Sequence, residues 1–115
     1  MTLQYHLRIN QGETFQVAIP VLDEDGDPIS LAGMTARGQV RAHAADETVL
    51  HEWTLGNSGI AFDANKVVLN VSAATSSAWT WRTGRYDIEL VDGAGSVTRL
   101  VDGHVIVHPE ITRTT

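Results

Sequence analysis

Cysteine is absent from the 115-residue chain. That excludes disulfides, thiol nucleophiles and zinc sites built on thiolates, and it suits folding in a reducing cytoplasm. Basic charge is scarce: eight Lys and Arg against fourteen Asp and Glu give a net charge of −6. The eight, from Arg8 and Arg37 to Lys66 and Arg113, stand singly rather than in a stripe. A nucleic-acid binder needs clustered cations to displace counterions from phosphates, so no nucleic-acid partner is expected. Long apolar runs are missing too. Nothing approaches the ~20 residues that span a bilayer, and the opening MTLQYHLRIN lacks the basic-then-apolar order of a secretory signal. No membrane partner is expected. A chain this long fits one domain of ~100–200 residues and can bury roughly two thirds of its unfolded surface without staples. Residues 1–115 are therefore expected to form a single domain, with 109–115 as an extended tail.

Helical periodicity is also nearly absent, and a period of two takes its place. In LQYHLRIN, Leu3, Tyr5, Leu7 and Ile9 alternate with polar residues, as in a half-buried strand. TFQVAIPVL sets Phe15, Val17, Ile19 and Val21 on one face, and Pro20 predicts an edge position or a bulge. MTARGQVRAH, TVLHEWTL, KVVLNVS, RYDIELVD and SVTRLVDGHVIVH follow as further strands, with GNSGIAF between two of them as a loop. SAATSSAWTW is the one helix candidate, near residues 73–80, with Ser72 as its cap. About seven short strands with turn signals between them predict an all-β fold, an antiparallel β-sandwich.

Candidate chemistry is thin. LDEDGDPISLAG, Leu22 to Gly33, looks at first like a calcium loop. With Asp23 as position 1, however, glycine falls at position 4, Pro28 at 6 and Met34 at 12, and no helix flanks the segment. Asp25-Gly26 reads as a hairpin turn, because glycine takes positive φ without steric cost. Whether Asp23–Asp27 also binds a cation stays open at this point. His104 and His108 are four apart, about 13 Å on a strand, too far to share a metal. His51 fits a structural role. Ser58 lies between glycines without a strand–turn–helix elbow, and Asp87 and Glu89 read as a solvated strand face. No catalytic residue, cofactor or metal is expected. Trp53, Trp79 and Trp81 have three readings: core, protein contact, or a sugar-stacking platform.

TGRYDIEL resembles the start of the closing hairpin in immunoglobulin-like domains, where Gly84, Tyr86 and Ile88 stand in the order of a tyrosine corner. Isoleucine occupies the place of the antibody cysteine. More specifically, INQGETFQVAIPVLDEDGDPISLAGMTARGQVR is similar to the opening of small Ig-like virion proteins of tailed bacteriophages. These include the N-terminal domains of upper baseplate and tail-fibre attachment proteins. KVVLNVSAATSSAW resembles their strand and short Ser/Ala-rich helix, and GRYDIELVDGAGSVTRLVDGHVIVHPEITR their closing hairpin. The chain departs in having Ala32 where threonine is usual and in its tryptophan-rich helix.

What the resemblance implies is an Ig-like sandwich and a non-enzymatic virion structural protein, made in the host cytoplasm. It would be an assembly or adaptor subunit of the tail or baseplate, present in many copies against other virion proteins. Contacts are expected along the N-terminal strand at Leu3 and Tyr5, around Trp79 and Trp81, and at the tail from Pro109 through Ile111. A capsid decoration protein is the alternative within the particle. A carbohydrate- or calcium-binding sandwich module is the alternative of another class.

Overall fold

The computed structural model describes residues 3–112. Its strands are β1 (Leu3–Gln4), β2 (Leu7–Asn10), β3 (Phe15–Pro20), β4 (Thr35–Arg41), β5 (His51–Thr54), β6 (Ile60–Asp63), β7 (Lys66–Val71), β8 (Thr83–Val91) and β9 (Val97–His108). A single helix, α1 (Ala73–Ser77), connects β7 to β8. Six strands form one sheet in the order β1-β9-β8-β4-β5, with β2 also on β9, and three form the other in the order β3-β7-β6. This is an all-β sandwich, as the alternating pattern predicts, in the Ig-like form that the resemblance implies.

The pattern and the packing agree strand by strand. Along β8, Gly84, Tyr86, Ile88 and Leu90 are buried while Arg85, Asp87 and Glu89 face outward. Val67, Leu69 and Val71 of β7 meet them from the other sheet, joined by Ile9, Val40, Trp53, Val101 and Val105 in one core. Each fully buried aliphatic side chain contributes about 1.5–3 kcal/mol. Pro20 ends β3, an edge strand, where its missing N–H costs no ladder bond. Ser72 caps α1 by accepting from the Thr75 amide, although the helix stops at Ser77, short of the expected 80.

Three features depart from the expected pattern. The N-terminal strand is broken at Tyr5-His6, and its two halves pair parallel to β9, not antiparallel (Leu3↔Val101, Leu7↔Val105). Strand β8 already holds the antiparallel edge of β9, and after Gln11-Gly12 the chain crosses to the opposite sheet as β3. The second departure is β6, a strand formed by IAFD where a loop is expected. The two-residue turn Ala64-Asn65 joins it to β7, with Ala64 at φ 54° in a place where glycine would have signalled a hairpin. Third, β9 carries a bulge opposite Ile88/Glu89, which turns both Leu100 and Val101 inward.

Candidate functional site

The N-terminal edge is fastened at one point. Tyr86 is buried, and its hydroxyl donates to the Tyr5 carbonyl at 2.6 Å. A tyrosine corner ordinarily bonds backbone a few residues upstream; here the partner lies 81 residues away, in the break between β1 and β2. Burial raises the Tyr86 phenol well above its ordinary value, with Tyr5 and Asp102 adding to it. Gly103 packs under the same carbonyl, since a Cβ there would lie 2.3 Å from Tyr5 O. Beside them the His104 amide donates to His6 Nδ1 at 3.1 Å. Leu3 and Tyr5, two of the expected contact residues, remain 44% and 47% exposed on this edge.

The tryptophans divide differently from the expectation. Trp53 is fully buried, and Trp79 belongs to the core at 9% exposure, so Trp79 offers almost nothing to a partner. Trp81 is half-buried and stacks on Trp79 with ring centroids 4.6 Å apart. His51 sits edge-on to both Trp53 and Trp79, at 4.9 and 5.1 Å. Burial holds the His51 imidazole below its ordinary value, against the pull of Glu52. His51 Nε2 and the indole nitrogens of Trp53 and Trp81 are buried without a hydrogen-bond partner among the described residues.

The acidic loop is one of a pair. Asp23 Oδ1 accepts the amides of Asp25 and Asp27, each at 2.9 Å, while Gly26 N–H donates to the Asp23 carbonyl and Asp23 N–H to the Asp27 carbonyl. Asp92 repeats all four bonds with Ala94, Ser96 and Gly95. The glycines take matching left-handed conformations, φ 84° at Gly26 and 89° at Gly95. Carboxylate oxygens of Asp23, Asp25 and Asp27 lie within 4.8 Å of one another, all on exposed residues. The Asp92 loop forms the same turn with alanine and serine in the corresponding places. The turn therefore accounts for the first aspartate without any ion.

The outer face of the six-stranded sheet carries a charged basin of about 390 Å³. Arg37 Nε meets Glu89 at 2.9 Å, and Arg99 lies between Asp87 (3.4 Å) and Asp102 (3.8 Å). Asp87 and Asp102 are direct cross-strand partners. Burial pushes the Asp87 carboxyl up; Glu89 and Asp102 add to this, and Arg99 and Arg41 oppose it.

At the hairpin end of the sandwich lies a groove of about 650 Å³ with a largely apolar floor. Leu3, Leu22, Ile29, Met34, Leu90 and Leu100 line it, and the twin loops flank it with Asp23, Glu24 and Asp92. Leu22 is 50% exposed. The bulge in β9 delivers Leu100 to the same surface. Of the expected contact residues only Leu3 belongs to this groove. The other groove residues come from separate segments, and only Leu22, an apolar residue placed directly before an acidic turn, carries a local signal in the sequence.

Pro109 is exposed at the opposite end, and Ile111 is 91% exposed. The chain leaves β9 there under the hold of Gln11. Its backbone N–H donates to the His108 carbonyl, its side-chain oxygen accepts the Glu110 amide, and its side-chain nitrogen reaches the Ser77 and Trp79 carbonyls. Arg113–Thr115, the last part of the expected tail, lie outside the described residues. No described helix is long and apolar enough to cross a membrane. The sequence matches no protein-family model and no curated protein.

Proposed function

We propose that this chain is a non-enzymatic structural subunit of a bacteriophage particle, an assembly or adaptor part of the tail or baseplate that works through contacts with other virion proteins. The observation that carries the reading is the open apolar groove at the hairpin end, with Leu3 and Leu22 uncovered on it. Soluble domains rarely leave large apolar patches without a partner, and interface cores are apolar surfaces rimmed by polar groups. The resemblance of INQGETFQVAIPVLDEDGDPISLAG and GRYDIELVDGAGSVTRLVDGHVIVHPEITR to Ig-like virion domains directs the choice of partner class.

The role is mechanical. A sandwich fastened along its edge by the Tyr86–Tyr5 bond holds the groove and the tail in fixed positions, so little order has to be gained when a neighbour docks. The test is genetic. A nonsense codon in the gene, within the genome that encodes it, is expected to yield particles defective in tail or baseplate, restored by the wild-type chain supplied in trans. Restoration by Leu22→Asp is expected to fail. Fully infectious, complete particles without the protein contradict the proposal.

A further inference from the structure

An edge strand leaves a row of unpaired N–H and C=O groups that can pair with another chain. Three of the sheet edges here are blunted. On β5, Asn57 takes the outward groups, accepting the Thr54 amide and donating to the Glu52 carbonyl, each at 3.0 Å. The β1–β2 edge is interrupted at Tyr5-His6 and carries Arg8, and β6 is four residues long and ends at Asp63. Strand β3 has none of these protections before Pro20. Its six residues run unbroken, and no charged residue stands between Glu13 and Asp23.

The register shows which groups of β3 are unpaired. Val21 N–H donates to the Asn65 carbonyl and Asn70 N–H to the Gly59 carbonyl. Those two bonds continue the β3–β7 and β6–β7 ladders. Bonded and non-bonded pairs alternate along an antiparallel ladder, so the odd-numbered residues of β7 bond β3 and the even-numbered ones bond β6. On β3, Phe15, Val17 and Ile19 therefore bond β7, whereas Gln16 and Ala18 turn their N–H and C=O groups away from the sheet. No described residue bonds those outward groups. Gln16 and Ala18 are exposed, and Phe15 and Val17 beside them are only half-buried.

We infer that β3 pairs antiparallel with β3 of a second copy about a two-fold axis at Val17, joining the two smaller sheets into one continuous sheet. The edge is self-complementary. In this register Gln16 of each copy stands opposite the partner's Ala18, and every such pair exchanges two hydrogen bonds. Pro20, which has no N–H to give, stays outside the paired centre. On the inner face Val17 meets the partner's Val17 and Phe15 meets the partner's Ile19, which covers the apolar area left open at the edge. The lack of charge favours this occupant, since a charged strand would repel its own copy across the axis. The axis closes the assembly, so it stops at a dimer. Pairing over so few residues buries less than the ~1,000 Å² of a stable interface, so the dimer is weak and grows with concentration. It rests on the β3 edge alone and holds or fails separately from a place in the virion.

Sedimentation and amide hydrogen exchange on the whole chain, each over a concentration series up to about 1 mM, test the pairing. The wild-type chain is expected to pass from monomer to dimer and no further. The Gln16 and Ala18 amides should exchange freely in the monomer and at least about tenfold more slowly in the dimer, while those of Val17 and Ile19, already bonded to β7, stay protected throughout. Ala18→Pro removes a donor that the single chain does not use. Ala18→Lys leaves the backbone intact and sets like charges beside the axis in both copies, so it decides the matter if proline disturbs the strand. Each variant is expected to weaken the dimer at least about tenfold. A wild-type chain that stays monomeric at every concentration overturns the inference. So does a dimer whose Gln16 and Ala18 amides still exchange freely, or one that Ala18→Lys leaves unchanged.

Discussion

Replacing Tyr86 by phenylalanine removes one oxygen and, with it, the only side-chain bond that fastens the Tyr5 carbonyl among the described residues. The ring itself stays in the core against Trp53, 5.9 Å away. A neutral hydrogen bond contributes about 0.5–1.5 kcal/mol net, and a carbonyl left buried without a partner costs about 1–3 kcal/mol. Tyr5 is half exposed, so water can reach part of its backbone once the segment loosens. The expected loss is therefore about 1–1.5 kcal/mol, or roughly 3–8 °C in Tm for a domain of this size. Gly103→Ala acts on the same joint from the other side: its Cβ would lie 2.3 Å from Tyr5 O and 2.9 Å from Tyr5 C, so backbone has to move. Overpacking of this kind costs about 1–3 kcal/mol. Urea unfolding of the two single variants and the double variant measures the coupling. Once either change has detached the β1–β2 break, the other has less left to disturb, so the double variant should lose clearly less than the sum. Strict additivity, or a Tyr86→Phe variant as stable as the parent, refutes the idea that this bond holds the N-terminal edge.

Other outcomes follow from the same geometry. Asp23→Ala and Asp92→Ala should each cost about 0.5–1.5 kcal/mol, since both aspartates make the same turn, whereas Asp25→Asn should stay within about 0.5 kcal/mol; denaturant midpoints compare the three. Gly38→Ala places a Cβ 2.3 Å from Ile88 Cδ1 and 2.8 Å from the Asp87 carbonyl, so it should destabilise by about 1–3 kcal/mol in thermal unfolding. His51 has a folded value below its ordinary 6.5, so the unfolded chain binds the extra proton as pH drops below that value. Its contribution is full above 6.5 and is lost on acidification, and Tm against pH should flatten there in His51→Gln. Asp87 has the opposite sign: its folded carboxyl is raised above 3.8, so stability falls as pH rises through the raised value, and Asp87→Asn should remove that fall.

The strands with one apolar and one polar face were legible because each buried side chain alternates with a solvated one, as along Ala36–Val40 and Gly84–Leu90. Strand β6 was not, because Ala64-Asn65 turns the chain without glycine and IAFD is too short to show a period. The DG turn at Asp25-Gly26 was visible locally, and its hydrogen bonds are those of a turn. Its equivalence with the Asp92 loop appears only when the two bond sets are compared. The groove could not be read in advance, since Leu3, Leu22, Met34 and Leu100 come from separate segments and Leu100 points inward only through a bulge. Trp79 and Trp81 alternate in sequence, yet alternation alone does not say which of the two enters the core.

The most direct test of a virion role is quantitative mass spectrometry on purified particles made by the genome that encodes the chain. The quantity is the copy number of this protein relative to the major capsid protein. A ratio of a few per cent is the predicted result for a tail or baseplate part. A ratio near one moves the protein to the capsid surface as a decoration subunit. Absence from the particle contradicts the structural role altogether.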